Sequence, residues 1–265
     1  MPVRAQKAAK AGKNYRVRGK EMKRFKFMNN DQLELVCSQM LDRYFTSLGN
    51  KDEIEPWVDI DNFVLNFLHC TVVYESIASR NNCLGFVSDG VTTITILRNG
   101  RKRKVLYDRD TIVLDKYLQM PGNEAKRRFV LGHEAGHVIT NRIYGNAAAY
   151  YNHAFDSEAG FNKQLLIEQF NIYETQADRI SACLLMPKVL LLKYMETYLD
   201  SHKVIRYEGT GISKYDRSML LRIANELRVS ITALQIRLKE LGLIIDKPLP
   251  YKDLESKEVF PYEPL

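Results

Sequence analysis

The stretch from Glu124 to Ile143, EAKRRFVLGHEAGHVITNRI, carries both a helical period and the most reactive side chains of the chain. Pro121-Gly122-Asn123 punctuates the sequence before it and Gly145-Asn146 ends it. Ala125, Phe129, Val130, Val138, Ile139 and Ile143 recur at helical spacing, which predicts a helix over about 124–143. Inside it lies His133-Glu134-Ala135-Gly136-His137. Residues four apart on a helix are rotated by about 40° and displaced by about 6 Å. Both imidazoles then project from one face and can share a metal ion at roughly 2.0–2.1 Å each. Glu134 sits beside them, placed to hold a metal-bound water rather than to ligate. Polarised by a dication, such a water reaches a pKa of about 7 and attacks a carbonyl. The bland alternative is a satisfied histidine pair on an exposed helical face.

A hydrolytic zinc usually keeps three protein ligands and leaves one position for water. Of the five histidines, three lie outside the motif. His69 precedes a strand pattern far upstream and reads as structural. His202 falls in a polar linker. His153 lies in the loop after the motif helix and stays open as a third ligand. The other candidate is Glu174, in Glu174-Thr175-Gln176-Ala177-Asp178. Glu174 and Asp178 share a helix face, so Glu174 can ligate while Asp178 accepts a hydrogen bond from the far nitrogen of a ligand histidine. Taken alone, the same pair also reads as acids favoured by a helix dipole.

Around this centre the periodicity predicts a helix from Asp31 to Leu48, capped by Asn30 or Asp31, and a short one near Asp59 to Leu68. Cys70–Tyr74, Val91–Leu97, Lys104–Tyr107 and Thr111–Leu114 read as strands, with Asn99-Gly100 as a hairpin turn. Helical texture returns at Asn162–Met186, and two further helices fall near Asp216–Leu227 and from Ser230 to Leu241, with Gly242 as stop. The expected fold is α+β: a small antiparallel sheet packed on a zincin-like helical core, with a helical C-terminal cap. The expected division is a basic disordered arm at 1–29, a metallopeptidase domain at 30–193, a helix-turn-helix-like cap at 194–246 and a tail at 247–265.

With 265 residues, 45% apolar and 27% charged, the chain has the composition of one or two globular domains. No apolar run is long enough to span a membrane, and the first 26 residues hold no apolar segment of a secretory signal. Cys37, Cys70, Cys83 and Cys183 form no paired motif, which argues against a zinc ribbon and a disulfide framework. Free thiols point to a reducing compartment, the cytoplasm. Residues 1–26 hold ten Lys and Arg against Glu21 alone, so the net charge of +7 is that of an arm on a near-neutral body. Such a block is ordinarily a solvated arm, and its functional reading is weak attraction to nucleic-acid phosphates.

The chain resembles the ImmA/IrrE family of metallo-endopeptidases, short relatives of the thermolysin-like gluzincins. The resemblance rests on Asp110–Leu114 with Arg127–Gly132, on His133–His137, on Glu174–Asp178 leading to Ala182-Cys183-Leu184-Leu185-Met186-Pro187, and on Val229–Leu234 with Arg237-Leu238 and Leu241–Ile244. It covers about half of the chain. It implies Glu174 as third metal ligand beside His133 and His137, Glu134 as general base and acid, and Asp178, in place of the commoner asparagine, as the partner of a ligand histidine. Zn²⁺ is the implied cofactor, with Mn²⁺ as the alternative. The implied partner is a helix-turn-helix transcriptional repressor, cleaved in an anti-repressor role. The 36 residues between His137 and Glu174 imply an insertion at 144–170. Its Tyr150, Tyr151 and His153 are candidates to support a developing oxyanion. Two other functions compete: a non-catalytic regulator with a structural metal that binds a repressor or DNA, and a metallohydrolase acting on a non-protein substrate.

Overall fold

In the computed structural model the described residues are 28–49, 56–77, 83–144, 163–199, 201 and 203–248, with short strands at 15–17, 20–22 and 262–263. The expectations for most of the basic arm, the 144–170 insertion, His202 and most of the tail lie outside them. Tyr15–Val17 (β1) and Lys20–Met22 (β2) pair antiparallel.

Helix α1 spans Asn30–Ser47. Its cap is Asn29, one residue earlier than expected. The Asn29 side chain accepts from the Gln32 amide, and the Gln32 side chain accepts from the Asn29 amide, a reciprocal box that satisfies two orphan donors. Leu33, Cys37, Leu41 and Tyr44 form its buried stripe. Helix α2, Ile60–Asn62, continues into a π turn at Phe63–Phe67. There Phe63 and Phe67 close on Tyr44 with ring centroids at 5.3 and 5.8 Å. His69 follows, exposed and with φ +54°, as the turn residue before the sheet.

The sheet is formed by β3 (Thr71–Ile77), β4 (Gly85–Val87), β5 (Ile94–Arg98), β6 (Arg101–Val105) and β7 (Thr111–Asp115) in the order β4-β7-β3-β5-β6. The hairpin turn at Asn99-Gly100 has positive φ at both residues, as expected of this pair. The α+β class holds, but the sheet is mixed rather than wholly antiparallel: β3 and β7 run parallel, Val72 opposite Ile112. The β5–β6 hairpin lies between them in sequence, so β7 returns beside β3 in the same direction. Thr111–Leu114 are all buried, as a strand covered on both faces requires.

Helix α3, Glu124–Tyr144, packs on β4 and β7 and runs antiparallel to α4, Lys163–Leu185. Pro187 ends that path and α5 (Lys188–Tyr198) follows. It buries Tyr194 and Met195 across the boundary expected at 193–194. The C-terminal part contains the expected helices, α6 (Lys214–Glu226) and α7 (Ile231–Glu240), capped by Ser213 and Ser230. It is not purely helical. Strands β8 (Val204–Tyr207), β9 (Gly211–Ser213), β10 (Ile244–Lys247) and β11 (Tyr262–Glu263) form a second sheet in the order β10-β8-β9-β11. Each strand has at most four residues and is stabilised by a distant partner, Ile244 beside Val204, so local periodicity carries little of it.

One core runs through both parts, from Leu33 and Ile112 to Leu220 and Leu238. Two buried arginines fasten the cap. Arg128 on α3 donates to the carbonyls of Arg228 and Val58 at 3.2 and 3.0 Å and lies over the Trp57 ring. Arg237 on α7 is 3% exposed, pairs with Glu34 of α1 and donates to the Met186 carbonyl at 3.3 Å. Burial raises the Glu34 pKa, but the bond to Arg237 outweighs it and the net shift is downward. Arg237→Ala strands that carboxylate and is expected to cost about 3 kcal/mol. The depressed Glu34 pKa adds stability above its unfolded value of about 4.3, and that share is lost as the pH falls through the folded value. Urea unfolding at pH 7 and pH 3 tests this: the gap between wild type and variant narrows in acid. A gap at pH 7 below about 0.5 kcal/mol, within the range of an ordinary surface change, contradicts the role given to Arg237.

Candidate metal centre

The site is set by how closely α3 approaches α4. A Cβ on Gly132 would lie 2.5 Å from Ser181 Oγ, and one on Gly136 would lie 2.9 Å from the Ala177 carbonyl oxygen and 3.0 Å from its Cα. At Gly136 backbone therefore meets backbone, and at Gly132 the bare main chain meets the short Ser181 side chain. Ser181 Oγ donates to the Phe129 carbonyl at 2.9 Å across the same seam. His133 and His137 project from the edge of this contact on α3, and Glu174 and Asp178 from the facing edge of α4.

There His133 Nε2 lies 2.9 Å from His137 Nε2 and 3.2 Å from Glu174 Oε2, and His137 Nε2 lies 3.5 Å from Glu174 Oε1. Ligands at roughly 2.0–2.1 Å around a tetrahedral ion stand ~3.3 Å from one another, and the three separations bracket that value. Among the described residues, His133, His137 and Glu174 form the group of three potential ligands whose donor atoms all fall within 4.8 Å. Two imidazole nitrogens and a carboxylate oxygen, converging at these distances, suit a borderline dication. The residues thus fit a metal ion. His133 turns its other nitrogen to Asp178, with Nδ1 at 2.7 Å from Oδ1, which leaves Nε2 as the free lone pair.

The electrostatics point the same way. Burial opposes charge on His133, yet the bonds to Asp178 and Glu174 outweigh it and hold its pKa up at about 10. Burial also opposes charge on Glu174, while His133 and His137 bring its pKa down to about 2. A proton on His133 and negative charge on Glu174 thus stabilise one another, and a divalent ion competes with that proton for the same donor atoms.

Glu134 points elsewhere. It is 4% exposed and stands outside the ligand group. Burial pushes its pKa up against the pull of His137 and His133. Gly85 on β4 packs against it: a Cβ there would lie 2.8 Å from Glu134 Oε1, so any larger side chain would press on the carboxylate. The carboxylate thus lies against the edge strand of the sheet while still within the electrostatic reach of both imidazoles.

Sequence reasoning singled out His133, Glu134, His137, Glu174 and Asp178, and the fold brings all five to this one seam. Tyr150, Tyr151 and His153 lie outside the described residues, so the third-ligand alternative at His153 is placed nowhere. His69 is remote from the cluster in the chain and sits in an exposed turn. Two contributors were missed. Gly85 lies in a three-residue strand with no periodic signal. Tyr173 stacks on His137 with ring centroids 4.3 Å apart and directs its hydroxyl to Asn141 Oδ1 at 3.3 Å. The signal available for Tyr173 was its place next to Glu174. For the close helix contact the signal available was the spacing of Gly132 and Gly136, four apart on one face, which was not read.

The family model of the IrrE N-terminal-like domain, peptidase M78, matches residues 95–239, more than half of the chain, and the chain belongs to this family. No curated protein matches it. Membership supports a metallopeptidase role, with a protein as substrate. No helix among the described residues is long and apolar enough to cross a membrane.

If backbone contact at Gly136 sets the spacing of the cluster, Gly136→Ala must push α4 away. The methyl gains helix propensity of about 1 kcal/mol but is expected to cost about 1–3 kcal/mol in overpacking. It is also expected to weaken zinc binding by on the order of tenfold. Chelator competition on the folded variant measures this, and wild-type zinc affinity would contradict the packing account.

Proposed function

We propose that the chain is a zinc-dependent endopeptidase that hydrolyses a peptide bond in a partner protein, a helix-turn-helix transcriptional repressor, and so acts as an anti-repressor. The observation that carries the hydrolytic part is the division of labour at the seam. Three donor atoms converge within 4.8 Å, while the neighbouring carboxylate, Glu134, stays outside the group. A structural zinc is closed by four protein ligands; three ligands and a spare carboxylate fit a hydrolytic site. The repressor is suggested by the resemblance to ImmA/IrrE peptidases, and by it alone.

In this reading His133, His137 and Glu174 hold the ion, and zinc is preferred over manganese for a His/His/Glu donor set. The bound ion supplies Lewis acidity toward the scissile carbonyl and a nucleophilic water near neutral pH. Asp178 accepts a hydrogen bond from His133 Nδ1 and keeps Nε2 directed at the ion. Tyr173 packs on His137 and fixes its ring plane. Glu134 takes the proton of the attacking water and returns it to the leaving amine. Its burial favours the neutral form and so raises its basicity for that task. Strand β4 is an edge of its sheet, with Gly85 against Glu134. An extended substrate segment added to that edge passes beside the carboxylate.

The experiment is metal analysis of the purified chain followed by incubation with helix-turn-helix repressors encoded beside it. Glu134→Gln is expected to keep one zinc per chain and to lose hydrolysis by about 10²–10⁴-fold. Glu174→Ala is expected to lose the metal, and Asp178→Ala to weaken its affinity by about 10–100-fold. Cleavage by Glu134→Gln at the wild-type rate, or full zinc occupancy in Glu174→Ala, sinks the assignment. Tight repressor or operator binding without cleavage would favour a non-catalytic regulator instead.

A further inference from the structure

The furrow between α3 and α4 does not end at the metal ligands. Followed toward the start of α3, its wall changes from His133 to Val130, Phe129 and Lys126. On the antiparallel α4 it changes from Glu174 to Asp178 and Ala182. Helix α7 of the cap borders the far side with Ala233 and Ile236, and the three helices line an open-sided cavity of about 620 Å³. Asp178 belongs to both regions, lining the cavity while its Oδ1 bonds His133 Nδ1 at 2.7 Å. Phe129 and Val130 are half-buried, and Ile236 is left 58% exposed on the cap. At the rim Arg179 and Glu240 face each other at 3.9 Å and spend their charges on one another. The interior is therefore apolar, and its volume lies within the range of about 300–1,000 Å³ that encloses a ligand of several side chains' size.

Resting on the peptidase reading above, we propose that this cavity is the specificity pocket of the enzyme and receives bulky apolar side chains of the substrate beside the scissile bond. The occupant follows from position. A peptide bond held at the ligand cluster has its neighbouring residues about 3.3–3.6 Å apart along an extended chain. The cavity begins one helical turn, about 5.4 Å, from His133. A side chain one or two residues from the scissile bond thus reaches Val130 and Ile236, whereas a charged one finds Lys126, an Asp178 carboxylate already bonded to His133, and a closed ion pair at the rim. The C-terminal cap then has a task in the reaction: α7 supplies the wall that selects the substrate, which gives a reason for one continuous core joining cap and body.

The test uses the full chain loaded with zinc and a pool of randomised ten-residue peptides, with cut sites read by mass spectrometry. Wild type is expected to enrich Leu, Ile, Met or Phe over Ser, Lys and Glu at one position next to the cut by on the order of tenfold or more. Ile236→Arg and Ala233→Arg, both remote from the ligands, are expected to keep their zinc and their fold while losing that enrichment. A flat preference in wild type, or an unchanged preference in both variants, overturns the pocket and leaves the peptidase reading standing. If wild type cuts nothing, zinc-loaded Glu134→Gln is titrated by fluorescence anisotropy with two labelled amphipathic peptides of equal length and charge. One presents Leu and the other Ser on its apolar face. Tighter binding of the Leu peptide, abolished by Ile236→Arg, keeps the cavity as an apolar binding site while the peptidase reading falls. Equal or absent binding of both peptides removes the pocket.

Discussion

The backbone contact between α3 and α4 is the constraint on which the rest depends. Helices with ordinary side chains between them pack with axes about 8–10 Å apart. Gly132 and Gly136 remove the side chains on α3, and Ala177 and Ser181 keep those on α4 small. The helices therefore come close enough for short side chains on their margins to meet. His133 and His137 reach across one margin, and Glu174 and Asp178 answer from the other. The fold provides two rigid rods clamped at their closest point, and the reactive atoms are carried on them rather than on loops. The sheet adds the last member by placing the bare main chain of Gly85 against Glu134.

That arrangement separates two carboxylates chemically. Glu174 shares its position with two imidazoles and is held anionic by them. Glu134, one residue from His133 in sequence, is enclosed by the sheet and pushed toward the neutral form. The same residue type is thus held anionic in one position and pushed toward the neutral form in the other, through environment alone. The cap takes part as well: Arg237 and Arg128 fasten it to α1, α3 and the end of α4, and α7 borders the furrow that runs on from His133 and Asp178.

Much of this was legible in the sequence, because helices announce themselves locally. The stripes of α1, α3 and α4 repeat over four turns or more, and their bounds fell within two residues of those observed. The Asn99-Gly100 turn was legible because positive φ restricts residue type. The HExxH spacing and the Glu174–Asp178 spacing carried the face-sharing needed for a common ion. What was not legible depends on partners distant in the chain. Strand β4 is three residues containing Gly85, and β8 and β10 pair Val204 with Ile244, partners far apart in the chain. The parallel pairing of β3 with β7 follows from topology, which no local pattern encodes. The packing of Tyr173 on His137, and of Gly85 on Glu134, exists only after α4 and the sheet have docked on α3.

The most direct test of the α3–α4 seam as a metal centre is X-ray absorption at the zinc edge of the full chain loaded with one equivalent of metal. The account predicts a sulfur-free, four-coordinate site with two imidazoles and oxygen donors at roughly 2.0–2.1 Å. A zinc–sulfur distance near 2.3 Å would place a thiolate such as Cys83 in the ligand set and contradict it. So would a spectrum with a single imidazole, because the two histidine nitrogens could not then share the ion.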